Sequence, residues 1–404
     1  MAGTEAEHHG RAVLGCFVLF LLGAGVCTWM IGRLGGSSRY GTDSPHSGWS
    51  ARWVGDVDAD GTPDFVLSTP FAPGATVPRV FSGATGKSLD ARGARRVIWE
   101  GRAYPGDLDG DGRLESWWDD GNGIHLMSDG TRGLGRTFAC DLSGLLDVLD
   151  DLDGDGTLDL LIGGYPARGR ETNRVSAVSA RTGAVIWTME RAANQTPGDT
   201  PFAWIGCVVG DIDLDGIADA AVQDGRERVE FLSGRNGATI GRAESRCDWV
   251  TGSLSPLGDL DGNGRPDLLI HGGHGAPTEA VSCVDGRVLA AIALPRYAYD
   301  VFSPGDVDGD GKRDVAWSSS EGGACARALD GSFLGRWSGV RLLPGDADHD
   351  RDGHADLLAV RNVSIEGEAT EPDDLWRLGR IEIISGKSLT VTRVFDANAL
   401  GLPR

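Results

Sequence analysis

One nine-residue acidic pattern occurs seven times in the chain, with a side-chain oxygen at positions 1, 3, 5 and 9 and glycine at position 6. The copies supply Asp56, Asp58, Asp60 and Asp64; Asp107, Asp109, Asp111 and Glu115; Asp151, Asp153, Asp155 and Asp159; Asp211, Asp213, Asp215 and Asp219; Asp259, Asp261, Asn263 and Asp267; Asp306, Asp308, Asp310 and Asp314; and Asp348, Asp350, Asp352 and Asp356. Their starts are separated by 51, 44, 60, 48, 47 and 42 residues, which is the length of one supersecondary unit. A chain built this way must stack like units, because each has one apolar face that its neighbour has to cover.

The content of a unit follows from what surrounds the loop. Each copy runs into a short apolar stretch with strand character, such as "DFVLSTP", "DLLIGGYP" and "DVAWSS". A glycine-centred turn between two more apolar stretches comes next, as in "VFSGATGKSL", "FLSGRNGATI" and "RALDGSFLG", and another apolar segment precedes each loop. Four short strands per unit, seven units and no helical periodicity after residue 33 predict an all-β fold, a seven-bladed β-propeller of four-stranded blades.

The acidic loop has a chemical reading. Calcium-sized hard cations take six to eight oxygen ligands, and alternating carboxylates in a tight loop can wrap one ion. Glycine at position 6 is expected to adopt positive φ where the chain turns beneath the ion. Position 7 varies freely (Thr62, Arg113, Thr157, Ile217, Arg265, Lys312, His354), as expected if it offers only its carbonyl. The loops hold 27 of the 59 acidic residues, so seven Ca²⁺ would move the formal charge from −21 to −7. Without a cation, four like charges crowd each loop. The same acidity argues against nucleic acid and against anionic lipid as partners. The pattern is not an EF-hand: position 12 carries Leu67, Trp118, Ile162, Val222, Ile270, Trp317 or Ala359 rather than glutamate, and the flanks read as strands.

In order and spacing the units resemble FG-GAP/VCBS repeats, the blades of the integrin-α-type N-terminal β-propeller, over roughly residues 48 to 395. The resemblance implies that each loop joins the first two strands of a blade and binds calcium structurally through positions 1, 3, 5 and 9. Glu115 and Asn263 depart from aspartate but keep an oxygen. In the seventh copy, "GDADHDRDGHAD" leaves Asp346 and Asp348 as rivals for position 1.

Outside the repeats, residues 12–32 form 21 uncharged residues, long enough as a helix to cross a bilayer once. A transmembrane signal-anchor and a cleaved signal peptide both fit, placing the propeller outside the cytoplasm, membrane-held or secreted. Residues 1–11 read as a tail, 33–47 as a linker and 48–404 as the propeller. The five remaining cysteines, Cys140, Cys207, Cys247, Cys283 and Cys325, are too scattered for a disulfide framework and read as buried thiols, with one or two bridges open to an exported domain. Two "GKS" triplets lack the earlier glycine of a phosphate loop and read as hairpin turns. "HGGHG", with His271 and His274, reads as loop rather than metal site, and Trp204 and Trp376 stand in long unrepeated segments as candidates for ligand contact. Asn194 and Asn362 begin glycosylation sequons. A non-enzymatic calcium-binding module for a protein or polysaccharide partner is the first functional reading, and a polysaccharide lyase-like enzyme on the same scaffold is the second.

Overall fold

The computed structural model describes residues 50–68, 79–89, 108, 115–119, 124–127, 136–138, 142–166, 173–191, 202–245, 252–273, 277–363, 377–396 and 400. All lie in one compact unit, Gly48–Arg404. The signal-anchor reading of residues 12–32 lies outside them, and among the described residues no helix is long and apolar enough to cross a membrane.

The described chain is all-β, with no helix. Its first sheet contains β1 (Ser50–Gly55), β2 (Asp64–Ser68), β3 (Arg79–Phe81) and β4 (Ser88–Leu89), in chain order. A three-stranded sheet follows, with β5 (Ser116–Asp119), β6 (Ile124–Met127) and β7 (Arg136–Phe138). Because the acidic loop directly precedes β5, these three correspond to the second, third and fourth strands of a unit. The segment that would supply the first strand lies outside the described residues. Four-stranded meanders then recur: β8 (Leu142–Leu149), β9 (Asp159–Pro166), β10 (Asn173–Val178) and β11 (Val185–Arg191), then β12 (Gly206–Gly210), β13 (Asp219–Asp224), β14 (Arg228–Leu232) and β15 (Thr239–Glu244). The next contains β16 (Ser253–Gly258), β17 (Asp267–His271), β18 (Thr278–Ser282) and β19 (Val288–Ile292). The last two contain β20 (Tyr299–Phe302), β21 (Asp314–Ser319), β22 (Gly322–Arg327) and β23 (Phe333–Ser338), then β24 (Arg341–Leu343), β25 (Leu357–Val363), β26 (Arg377–Ile384) and β27 (Val391–Asp396). Every described pairing is antiparallel, as short connections require.

Contacts between sheets define how they are arranged. β8, β12, β16 and β20 approach one another in succession, and β1 of the first sheet meets β24 and β25 of the last. First strands are therefore innermost and the first sheet meets the last, which is the arrangement of a β-propeller. Burial peaks at the second strands and falls toward the fourth. Second strands such as β17 are buried along their whole length, whereas fourth strands such as β15 and β23 alternate with solvent.

Apolar clusters lie mainly between sheets. Val209, Ala221 and Phe231 of one sheet pack with Leu268, Ile270 and Val281 of the next. Burying a side chain of this size contributes about 2–3 kcal/mol, so the stacked interfaces dominate stability. At the closing seam Phe65, Phe81 and Phe395 stack, with ring centroids 5.7 Å and 5.4 Å from Phe65. Innermost strands expose one unpaired backbone edge, and side chains of the preceding sheet satisfy parts of it. Asp147 Oδ2 accepts from Val208 N (2.8 Å), and Ser255 Oγ accepts from Ser303 N (3.0 Å).

Candidate metal-binding loops

In each four-stranded sheet the acidic loop joins the first strand to the second. A glycine bulge delivers the chain into it: Gly55, Gly210 and Gly258 have φ of 79°, 113° and 64°, and each pairs with the position-9 aspartate across a register shift. Position 6 has the expected positive φ in all six described loops, from 79° at Gly264 to 88° at Gly353. Position 4 is left-handed too, which the sequence reading missed. Glycine fills it in three loops, but Ala59, Leu214 and Arg351 hold φ of 58°, 63° and 61° against their steric preference.

Hydrogen bonds explain the alternation of acidic residues. In the loop from Asp306, Asp306 Oδ1 accepts from Gly309 N and Asp310 N, and its Oδ2 accepts from Gly311 N (2.7 Å). Asp308 Oδ1 accepts from Asp310 N, and Asp310 Oδ1 accepts from Lys312 N (2.9 Å). Asp314, the buried first residue of β21, accepts from Val307 N through Oδ2 (2.8 Å). The other loops repeat this scheme, so the carboxylates organise the turn as well as charging it.

Within five of the described loops, oxygens of positions 1, 3 and 9 converge to within 4.8 Å of one another. These sets are Asp56, Asp58 and Asp64; Asp151, Asp153 and Asp159; Asp211, Asp213 and Asp219; Asp259, Asp261 and Asp267; and Asp306, Asp308 and Asp314. The predicted position-5 residues Asp60, Asp155, Asp215, Asn263 and Asp310 stand beside these sets. Each turns one oxygen to the N–H of position 7, at 2.8–2.9 Å. In the second copy Glu115 is buried and accepts from Leu108 N (2.6 Å); Asp107, Asp109 and Asp111 lie outside the described residues. In the seventh, Asp348 takes the position-1 bonds, from Asp352 N (3.0 Å) and Gly353 N (2.8 Å), and Asp350 and Asp352 follow in register. Asp346 instead pairs with Arg313 of the preceding loop (2.5 Å), which settles the rivalry between the two.

The converging oxygens fit a hard cation. Burial raises the pKa of every fully described position-9 aspartate, with neighbouring loop carboxylates adding to it: Asp159, Asp267 and Asp356 reach about 6 and Asp314 about 7, and Asp64 and Asp219 rise in the same direction. Asp267 Oδ1 is buried without a hydrogen-bond partner. A positive charge in the loop would relieve both costs.

The structure also disposes of several other sequence features. His271 is buried at the end of β17 with Nδ1 2.7 Å from Thr278 Oγ1, so it belongs to a strand rather than a loop. His274 and Trp376 lie outside the described residues. Trp204, a candidate for ligand contact, packs against an apolar core cluster. Cys207, Cys283 and Cys325 are buried thiols, and burial raises the pKa of Cys283 and Cys325; Cys140 and Cys247 are outside the described residues. Both the glycine-bearing turns that cap the position-9 aspartates and the arginines that meet the loops were missed in the sequence. The signal was the residue after the turn-opening serine for Gly83, Gly234 and Gly386, and two after it for Arg181, Arg235 and Lys387; Arg287 and Arg327 carry no such signal.

No protein-family model matches the chain, and no curated protein matches it. Among solved structures, BBS1N in complex with ARL6DN superposes at TM-score 0.48 with 11% identity, covering 80% of this chain and 91% of that one. The Vibrio cholerae biofilm matrix protein Bap1 gives TM-score 0.46 with 13% identity over 89% and 93% of the two chains. BamB from Moraxella catarrhalis gives 0.43 with 15% identity over 74% and 77%. The propeller architecture rests on the succession of sheets in this chain itself and on the meeting of its first sheet with its last.

Proposed function

We propose that the protein is a calcium-stabilised, seven-bladed propeller of the FG-GAP/VCBS kind. In this reading it acts outside the cytoplasm, held by residues 12–32 or released after their cleavage, as a non-enzymatic module that binds a protein or polysaccharide. One observation carries the reading: convergent carboxylates recur at the same strand connection in sheet after sheet. A site repeated once per blade is scaffold, and among the described loops no single copy is distinguished as a reaction centre. Calcium is favoured over magnesium because its larger, less regular shell accepts unevenly placed loop oxygens that a strict octahedron would not. Positions 1, 3 and 9 would hold the ion, and it would neutralise carboxylates that burial otherwise penalises.

Partner recognition then falls to the segments that do not repeat. By strand alternation, β11 ends and β12 begins, and β25 ends and β26 begins, at the end of the sheets opposite the acidic loops. The sequence between them includes residues 192–201 and 364–376, whose differing lengths and composition provide the variation that a partner site needs.

Thermal melting of the full chain with calcium and with EDTA tests the metal reading. A ligand held 100-fold above its Kd adds about 2.7 kcal/mol per independent site, so calcium is expected to raise Tm clearly. Identical melting curves with and without EDTA would remove calcium from the account.

A further inference from the structure

The loops already hold a cation. In five of the six fully described loops a basic side chain from the hairpin between the third and fourth strands lies on an acidic loop residue of the same sheet. Arg181 approaches Asp155 Oδ1 at 3.2 Å, and Arg235 bonds Asp215 Oδ2 and the Asp215 carbonyl. Lys387 lies 3.9 Å from Asp352. All three basic residues stand two places after the serine that opens the turn, and all three meet position 5. Where that place is apolar, at Val284 and Leu329, the charge arrives from elsewhere. Arg287 bonds Asp261 Oδ2, and Arg327 grips Asp308 Oδ2 through Nε (2.6 Å) and Nη2 (2.5 Å) with Asp310 Oδ2 at 3.7 Å. Different turn positions thus bring positive charge to the same surface, and the last two bring it to position 3, a member of the converging set.

The exposures are unequal in a telling way. Asp261 and Asp308 are 11% and 15% exposed, whereas Arg287 and Arg327 are 57% and 43% exposed. A guanidinium so placed can swing into water with little loss, but the carboxylate it leaves needs a replacement charge. We propose that these basic side chains are tethered counter-cations that hold the metal-free loops together and compete with a bound divalent ion, most strongly in the loops from Asp259 and Asp306. This rests on the calcium reading above. It makes the loops unequal: an ion must displace Arg287 or Arg327 from the converging oxygens, but Arg181, Arg235 and Lys387 act on a carboxylate beside them. The arginines thereby set a calcium threshold loop by loop.

Calcium titration by calorimetry and metal-free thermal melting, both on the full chain, test the proposal with R287Q, R327Q, the double variant and R235Q. Removing one unit of repulsion beside the ion is expected to strengthen calcium binding about tenfold at the affected loop for R287Q and R327Q, and at two loops in the double variant. R235Q is expected to change it by less than about threefold, since Asp215 lies outside the converging set. Metal-free Tm should fall in every variant. Calcium affinity that is unchanged or weaker in R287Q and R327Q, with binding still present, overturns the competition and leaves the calcium reading standing. Absence of calcium binding in wild type and variants alike overturns both. Should the double variant not fold, the two single variants carry the same comparison.

Discussion

The position-9 aspartates fall into two groups that differ by one backbone hydrogen bond. Asp64, Asp219 and Asp356 each accept at 2.9 Å from a glycine N–H (Gly83, Gly234 and Gly386) in the turn between the third and fourth strands. Asp159, Asp267 and Asp314 face Ala180, Cys283 and Ala328 in the equivalent place. Asp159 and Asp267 keep Oδ1 buried without a bonded partner, and the Ala180 N–H helps Asp159 only from outside bonding geometry. Steric room explains the division. A Cβ at Gly83 or Gly234 would come within 1.9 Å of the carbonyl oxygen of Pro63 or Ala218, and one at Gly386 within 2.3 Å of that of Ala355. Only glycine lets the turn press against the loop closely enough to donate. Glycine here is a requirement of close approach, and a basic side chain on position 3 or 5 accompanies both groups: Arg235 and Lys387 in sheets with the glycine bond, Arg181, Arg287 and Arg327 in the sheets without it.

The largest expected effect converts one group into the other. Gly234→Ala must push the turn off the Ala218 carbonyl and break the bond to Asp219, so a loss of about 2–3 kcal/mol is expected in urea unfolding. A loss below about 0.5 kcal/mol would mean that the close approach is not a constraint.

The pH dependence comes next. With EDTA present, Asp159, Asp267, Asp356 and Asp314 titrate at about 6 to 7 in the folded state, against an ordinary 3.8. Between those values the folded protein binds more protons than the unfolded chain, so metal-free stability should fall as pH rises from about 4 to 7. Calcium should flatten that decline, because the bound ion favours the ionised carboxylates. Melting curves across the window, with and without calcium, check both signs. Asp356 limits the comparison usefully: it has its glycine bond and still reaches about 6, with Asp350 beside it, so the N–H is one contribution among several.

Smaller effects sharpen the contrast. Ala180→Gly removes a methyl group that this turn already accommodates, so only backbone entropy is expected to count, a loss of about 0.5–1 kcal/mol against the larger loss at Gly234. Leu214→Gly should go the other way. The residue is 62% exposed and holds φ of 63°, so relief of left-handed strain is expected to stabilise by about 0.5–1 kcal/mol. Equilibrium unfolding resolves both.

Much of this was legible in the chain before any coordinates. The glycine at position 6 turned left-handed, the strand after each loop began at position 9 or 10, and the carboxylates of positions 1, 3 and 9 drew together, because all of these depend on residues within about ten places of one another. Side-chain oxygens that alternate with N–H groups in a short turn have few other ways to be satisfied. What required the tertiary structure was every choice between chemically equal residues and every contact made across a hairpin. Asp346 and Asp348 are indistinguishable by composition; the loop N–H groups that turn to Asp348 and the reach of Arg313 from the preceding loop to Asp346 separate them. Arg235 lies 20 residues from Asp215, and Arg287 lies 26 from Asp261; whether those charges meet depends on where the hairpin lands. The sequence by itself determined a repeating all-β chain with an acidic turn per unit, since local periodicity and turn chemistry act over a few residues. The tertiary structure decided which carboxylates converge, which are neutralised by arginine and which glycines cannot be replaced, since those depend on packing between strands distant along the chain.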